Sequence, residues 1–268
     1  MIESFGRGLI YRIGAVVTCL ARRDWGRFTG SVQRLYLSAH RIGKRLLDGQ
    51  SLKALASLAQ PGMVVCDIGA NVGVTTGIFA DRVGPSGRVL AFEPDPFNAA
   101  VFRRYAAQRG LANVMLFELG LGESSGSRHL RINRTNRADS RILPSGMVPG
   151  IDDLTIACDG LDSVLARLGV QRVDLIKMDV QGFEPFVLRG MRATLAGNPG
   201  LQLVLELFPD GLTQQGQDPQ ALLAFLFDTF PVVERWTGRR WMPLSRPAFP
   251  AWLDTFQAGA YTDLWCHS

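Results

Sequence analysis

Cysteine is scarce in this 268-residue chain and too scattered for a metal cluster or a disulfide framework. Cys19, Cys66, Cys158 and Cys266 form no C-x-x-C pair, and no histidine stands at zinc-finger spacing from any of them. They read as reduced core thiols of a protein in a reducing compartment, so a cytoplasmic location is expected. Histidine is as sparse, with His40, His129 and His267 far apart. Long apolar runs are also missing. The stretch "GLIYRIGAVVTCLA" is interrupted by Arg12 and makes neither a membrane span nor a convincing signal peptide. No other run reaches about 18 apolar residues, so no span is expected. Lysine is rare: of 29 basic residues only Lys44, Lys53 and Lys177 are lysines. A nucleoside-triphosphate loop needs a Lys and then Ser/Thr after its last glycine, whereas Gly73 is followed by Val74. That class is excluded.

What is present suits a globular protein with a real core: 47% hydrophobic and 20% charged residues. The net charge of +5 is unevenly placed. Residues 1–50 hold nine Lys/Arg against Glu3, Asp24 and Asp48, so the rest of the chain is near neutral. Residues 1–60 read as a basic helical extension, with Ser51 capping a short helix that ends near Gln60. Three uses of this arm stay open: a solvated extension, a homodimer contact, or peripheral docking on an anionic membrane. It carries no recognisable nucleic-acid module, so nucleic acid is not an expected partner.

From Met63 the texture changes to alternating strand and helix. "MVVCDI", "RVLAFEP", "NVMLFELG", "RVDLIKMDV" and "LQLVLELFP" are short apolar runs of the kind that form buried parallel strands. Helices are expected over 74–82, after Asp95 as N-cap with Pro96 in the first turn and Gly110 at the end, over "GLDSVLARLG", over 185–195 and over 219–228. Strands near "PVVERW" and "AYTDLWC" complete the chain. Residues 123–160 break the pattern. "SRHLRI" alternates like one strand of an added hairpin, and the polar stretch after it reads as a flap or loop. The sum is an α/β, doubly wound sheet over 61–268. Such sheets bind ligands at the carboxyl ends of their strands. Asp67, Glu93, Glu118, Asp179 and Glu206 all fall at or near those ends, where five unpartnered acids would repel one another.

The loop "CDIGANVGVTT" decides among ligands. Its glycines and Glu93, 20 residues past Gly73, suit a nucleoside whose ribose Glu93 would grip. Asn71, however, takes the place of the middle glycine of a dinucleotide fingerprint and hinders approach of a pyrophosphate. A nucleoside carrying an amino-acid tail, S-adenosylmethionine, fits better. Asp67 would attract its ammonium, and the loop N–H groups with the helix start near Val74 would take its carboxylate. Residues from Glu118 to Gly120 would border its adenine. An NAD-linked oxidoreductase stays open as the alternative.

Together "CDIGANVGVTT", "GRVLAFEPDP", "VDLIKMDVQGFEPFVLRG" and "LVLELFP" resemble the FkbM family of S-adenosylmethionine-dependent methyltransferases over roughly residues 61–210. That resemblance implies a Rossmann-like class I sheet of seven strands with the last antiparallel. It also implies O-methylation of a hydroxyl, often on a sugar or natural product, with a glycan or small-molecule acceptor. Asp67, Gly69, Asn71 and Glu93 carry over as cofactor residues, and Asp179 as the acid after the fourth strand. With their neighbours, the expected cofactor contacts are Asp67, Gly69, Ala70, Asn71, Gly73, Thr75, Glu93, Pro94, Asp95, Glu118, Leu119, Gly120 and Asp179. Where the family often has Glu, this chain has Gln181, which serves neither as a base nor as a strong metal ligand.

For chemistry, Asp179 is the first candidate base. Lys177 shares its strand face and pairs with it, and Glu206 would bind acceptor hydroxyls or a cation. Glu184 is expected to cap the following helix, and Ser140 and Arg141 to touch the acceptor. Carboxylate oxygens suit Mg²⁺, but no ligand set can be read, so no metal is predicted. A non-catalytic module that keeps the fold is the remaining alternative.

Overall fold

Val64–Ile68 (β1) has four of its five residues buried, as a strand covered on both faces must. Successive residues point to opposite faces. Cys66 and Ile68 therefore join one core and Val65 another. The computed structural model describes Leu37, Ser38 and residues 49–133, 136–144, 146–151 and 153–268. The basic arm before Gly49, with its membrane and dimer readings, otherwise lies outside the described residues.

The remaining strands of the main sheet are Arg88–Phe92 (β2), Val114–Phe117 (β3), Leu175–Met178 (β8), Gln202–Leu207 (β9), Val232–Trp236 (β10), Trp241–Pro243 (β11) and Thr262–His267 (β12). Their order is β11-β10-β12-β9-β8-β1-β2-β3. The run from β9 to β3 is all parallel. The last strand, β12, runs antiparallel between β9 and β10, as the resemblance implies. The sheet has eight strands because β11 adds an antiparallel edge to β10. Trp241 of β11 meets Trp236 edge-on at 5.1 Å, a cross-strand aromatic pair of the kind that stabilises a short edge.

One face of this sheet is covered by Leu161–Leu168 (α4), Glu184–Arg189 (α5) and Pro219–Thr229 (α7), through Leu161, Val187, Leu188, Leu222 and Leu226. The other is covered by Gly49–Leu58 (α1) and Val74–Val83 (α2), where Leu55, Leu58, Phe79 and Val83 pack on Val65, Val89 and Leu175. Pro96–Arg109 (α3) follows β2 with Asp95 as N-cap accepting from the Phe97 N–H, Pro96 in its first turn and Gly110 at φ +63 as C-cap.

Three local expectations change. The helix over 185–195 is two, α5 and Arg192–Gly197 (α6), parted at Gly190. A Cβ there would lie 1.9 Å from the Gly122 carbonyl oxygen, so the chain bends where two backbones touch. Ser51 caps no helix; its hydroxyl donates to Asp263 Oδ2 of β12 at 3.1 Å, tying α1 to the sheet. Residues 120–159 form a second sheet of Gly120–Leu121 (β4), Gly126–Arg131 (β5), Arg141–Ile142 (β6) and Leu154–Asp159 (β7), in the order β4-β7-β5-β6. "SRHLRI" is a hairpin strand as expected, and its partner β7 buries Ile156 and Cys158 in its alternation. Cys66, Cys158 and Cys266 are free, buried thiols, and Cys19 lies outside the described residues.

Candidate active site

The five parallel strands end on one edge, and the loops leaving them enclose a cleft of about 1580 Å³. Gly69 and Asn71 after β1, Glu93 and Pro94 after β2, and Leu119 and Gly120 around β4 form one side. Asp179 and Gln181 after β8, Glu206 in β9 and Phe208 after it form the other. A roof comes from the 3₁₀ turn Arg137–Asp139 with Ser140 and Arg141, and from Trp236, Arg239 and Tyr261. Lys177 and Thr75 also reach the cleft.

The first side is organised by backbone. Gly69 (φ +79) lies so near Asp179 that a Cβ would sit 1.9 Å from that residue's carbonyl oxygen. A Cβ on Gly73 (φ +83) would strike the Phe102 ring at 2.5 Å. The loop glycines are therefore required by the protein's own close packing. Asn71 holds φ +53, a region that asparagine tolerates, and its Oδ1 accepts from the Val72 N–H at 2.7 Å. Its own N–H donates to Glu93 Oε2 at 2.8 Å. Glu93 Oε1 accepts from the Asp95 N–H at 2.9 Å and from Asn98 Nδ2. Burial, and then the charge of Asp95, push the Glu93 carboxyl up to about 7, against the pull of these three donors.

The second side is organised by side chains. Lys177 Nζ lies 3.1 Å from Asp179 Oδ2. Gln181 Nε2 donates to Asp179 Oδ1 and to Glu206 Oε1, both at 2.8 Å. Burial opposes the Lys177 charge, but Asp179, Asp67 and Glu206 outweigh it and hold its pKa above the ordinary lysine value. Burial, then Asp179 and Asp263, lift the Glu206 carboxyl well above the usual carboxylate range, with Lys177 opposing. Beside them Arg141 binds Asp139 Oδ1 and lies over the Phe208 ring at 5.1 Å. Among the described residues, no group of three His, Cys, Asp or Glu side chains is placed to hold a metal ion.

Five of the expected cofactor residues do not line the cleft. Asp67 shares a sheet face with Val65 and is wholly buried, so it points at α2, where its Oδ2 accepts from the Thr76 hydroxyl. Its Oδ1 is buried with no hydrogen-bond partner among the described residues. Ala70 joins the core with Val72 and Phe102, and Gly73 is the N-cap of α2. Asp95, 1% exposed, is claimed by Arg137, whose Nη2 and Nε donate to its two oxygens at 2.8 and 2.9 Å while the guanidinium lies over Phe97. Glu118 pairs with Arg103 of α3. Glu184 does not cap its helix. Its Oε1 accepts from the N–H groups of Val180 and Gly182 in the loop before it. Sequence reasoning missed Arg137, Asp139, Phe208, Trp236 and Tyr261, and treated Gln181 only as a loss. Arg137 lies in an arginine-rich stretch with nothing to single it out.

The model of the methyltransferase FkbM domain matches residues 67–235, more than half of the chain. The chain belongs to the FkbM methyltransferase family. S-adenosylmethionine is this family's methyl donor, and the NAD-linked alternative is set aside. The chain is 26% identical over 144 residues to methyltransferase 1 of Beauveria bassiana, covering 47% of this chain and 57% of that one. It is 31% identical over 192 residues to the AMB antimetabolite synthetase AmbE of Pseudomonas aeruginosa, covering 57% of this chain but 9% of that protein. It is 26% identical over 215 residues to the 2-O-methyltransferase NoeI of Sinorhizobium fredii, covering 75% of this chain and 86% of that one. The chain thus spans little more than half of the first of these FkbM relatives, a small part of the second and most of the third. No helix among the described residues is long and apolar enough to cross a membrane.

Proposed function

We propose that the protein transfers a methyl group from S-adenosylmethionine to a hydroxyl of a glycan or another hydroxylated metabolite. The observation that carries this reading is the Lys177–Asp179–Gln181–Glu206 network, which faces the cleft directly beside the Gly69–Asn71 loop. Similarity to a 2-O-methyltransferase supports a hydroxyl acceptor.

The donor set fits the cofactor's parts. Glu93 on the cleft floor has acceptor oxygens for ribose hydroxyls. The loop around Gly69 and Asn71 borders the place for an amino-acid tail, and behind it Asp67 Oδ1 is an acceptor atom with no hydrogen-bond partner among the described residues. Leu119 and Gly120, with Phe92, give a flat apolar wall for a base. When bound, S-adenosylmethionine supplies a methyl group on a sulfonium, activated for in-line displacement.

The chain's own residues then have three tasks. Trp236, Tyr261 and Phe208 offer faces and edges against which a sugar ring or other acceptor is oriented. Glu206, kept in reach of the ionised form by the Gln181 N–H donor, receives the hydroxyl proton as the oxygen bonds to the methyl carbon and the carbon–sulfur bond breaks, releasing a neutral thioether. Asp179, fixed by Lys177 and Gln181, orients that hydroxyl. Calorimetric titration with S-adenosylmethionine tests the donor half: finding no binding that depends on Glu93 removes the reading. Incubating a polysaccharide or metabolite extract with isotope-labelled cofactor, followed by mass spectrometry, tests the acceptor half. Cofactor binding without label transfer to any pool would favour the non-catalytic module.

A further inference from the structure

Gln181 is held in a conformation that its side chain does not choose. Its φ is +57, in the left-handed region where a long side chain is uncommon. The residues on either side are clamped. The Glu184 carboxyl, 0% exposed, takes the N–H groups of Val180 at 3.1 Å and Gly182 at 3.3 Å. Gly182 (φ +98) is pressed on Gly211, whose carbonyl oxygen would lie 2.4 Å from an added Cβ. The chain between them has little room to turn.

The result is one amide nitrogen between two acids, 2.8 Å from Asp179 Oδ1 and 2.8 Å from Glu206 Oε1. The orientation follows from chemistry. An NH₂ group has two hydrogens, one for each acid, while the amide oxygen would meet only lone pairs there. Neighbouring carboxylates repel. The amide bridges them without adding charge, and Lys177 supplies the adjacent cation.

We propose that Gln181 is a positioning residue, whose carboxamide spaces and orients Asp179 and Glu206 as one unit, and that buried Glu184 is the clamp that sets its conformation. The role of that unit in catalysis rests on the methyltransferase reading; the bridge itself does not. Glutamate at 181 would bring a third acid in place of a donor. Asparagine, one methylene shorter, would fail to reach both acids.

Carboxyl ¹³C NMR of the full chain tests this, with Asp179→Asn and Glu206→Gln spectra assigning the two resonances. An N–H donor favours the ionised carboxylate, so removing it raises the titration midpoint. Gln181→Ala and the near-isosteric Gln181→Glu are each expected to raise the Glu206 midpoint by at least about half a pH unit. Glu184→Ala should disturb both resonances, and Glu184→Gln, which keeps the acceptor oxygen, should restore them. Both Glu184 variants remove the same charge, so their difference reports the clamp alone. Should the alanine variants unfold, Gln181→Glu still tests the bridge, and the near-isosteric Glu184→Met, which lacks an acceptor oxygen, replaces Glu184→Ala in the comparison with Glu184→Gln. Unchanged Asp179 and Glu206 titration in folded Gln181→Glu overturns the bridge. Identical spectra for Glu184→Ala and Glu184→Gln overturn the clamp. Calorimetry with S-adenosylmethionine in parallel separates the two readings: a wild-type chain that binds no cofactor removes the methyltransferase reading and leaves the NMR result standing.

Discussion

On the side of the cleft made by β1 and β2, Glu93 is held by the backbone N–H groups of Asn71 and Asp95. On the side made by β8 and β9, Asp179 and Glu206 are held by the side chains of Lys177 and Gln181. A backbone-held acid depends on a loop's shape, which a few glycines and one asparagine specify locally. A side-chain-held pair depends on strands that are adjacent only after folding. The first arrangement suits an invariant ligand such as the methyl donor. The second allows that wall to change by single substitutions while the loop after β1 stays as it is.

The largest effect is expected where the roof is anchored to the β2 side. Arg137 carries the roof and binds Asp95, the cap of α3, in a pair with both members buried. Arg137→Ala leaves that acid buried without its partner and should cost about 3–5 kcal/mol in urea unfolding. A loss below about 1 kcal/mol would mean the roof is anchored elsewhere. Next, Glu93→Ala removes a charged acceptor and strands two backbone donors, and should weaken S-adenosylmethionine binding about a hundredfold by calorimetry. Tyr261→Ala, on the acceptor side, should change that affinity by less than about twofold while lowering transfer. Equal losses in both variants would break the division into two sides.

A smaller, pH-dependent effect sharpens the contrast. Glu93 and Glu184 are both raised from 4.5 to about 7 in the folded chain. Between those values the folded state keeps protons that the unfolded state has released. For these two groups, stability is therefore full below the unfolded pKa, falls as pH rises towards about 7, and levels off above it. Urea midpoints at about pH 5.5, 6.5 and 7.5 should decline, and Glu184→Gln should flatten that decline. The smallest effect is expected at an exposed pair: Arg246→Ala, which frees Asp228, should cost under about 1 kcal/mol.

The donor side was largely legible before folding. The Asp95-Pro96 helix start, the Gly110 stop and the strand-then-glycine turn at 64–73 are local signals, and the structure keeps each. The role of the glycines was not legible. Gly69 and Gly73 make room for Asp179 and Phe102, residues far off in sequence. That Asp67 does not line the cleft could not be read from its strand-end position: Lys177 and Glu206 share its sheet face and reach the cleft, whereas Asp67 is wholly buried against Thr76 of α2. The strands β7 and β11 were missed because one follows a polar stretch and the other is three residues long, and both owe their place to partners.

The sequence by itself determined the glycine-rich loop after β1, the parallel half of the sheet and the family, because each is written in contiguous runs whose geometry is local. Only the tertiary structure decided what stands across the cleft from that loop. Gln181, Glu206 with Phe208, and Tyr261 come from segments far apart in the chain, although the Glu184 contacts to Val180 and Gly182 are local. A contact between residues far apart in the chain has no local signature. It exists only when the strands that carry its two ends are brought side by side.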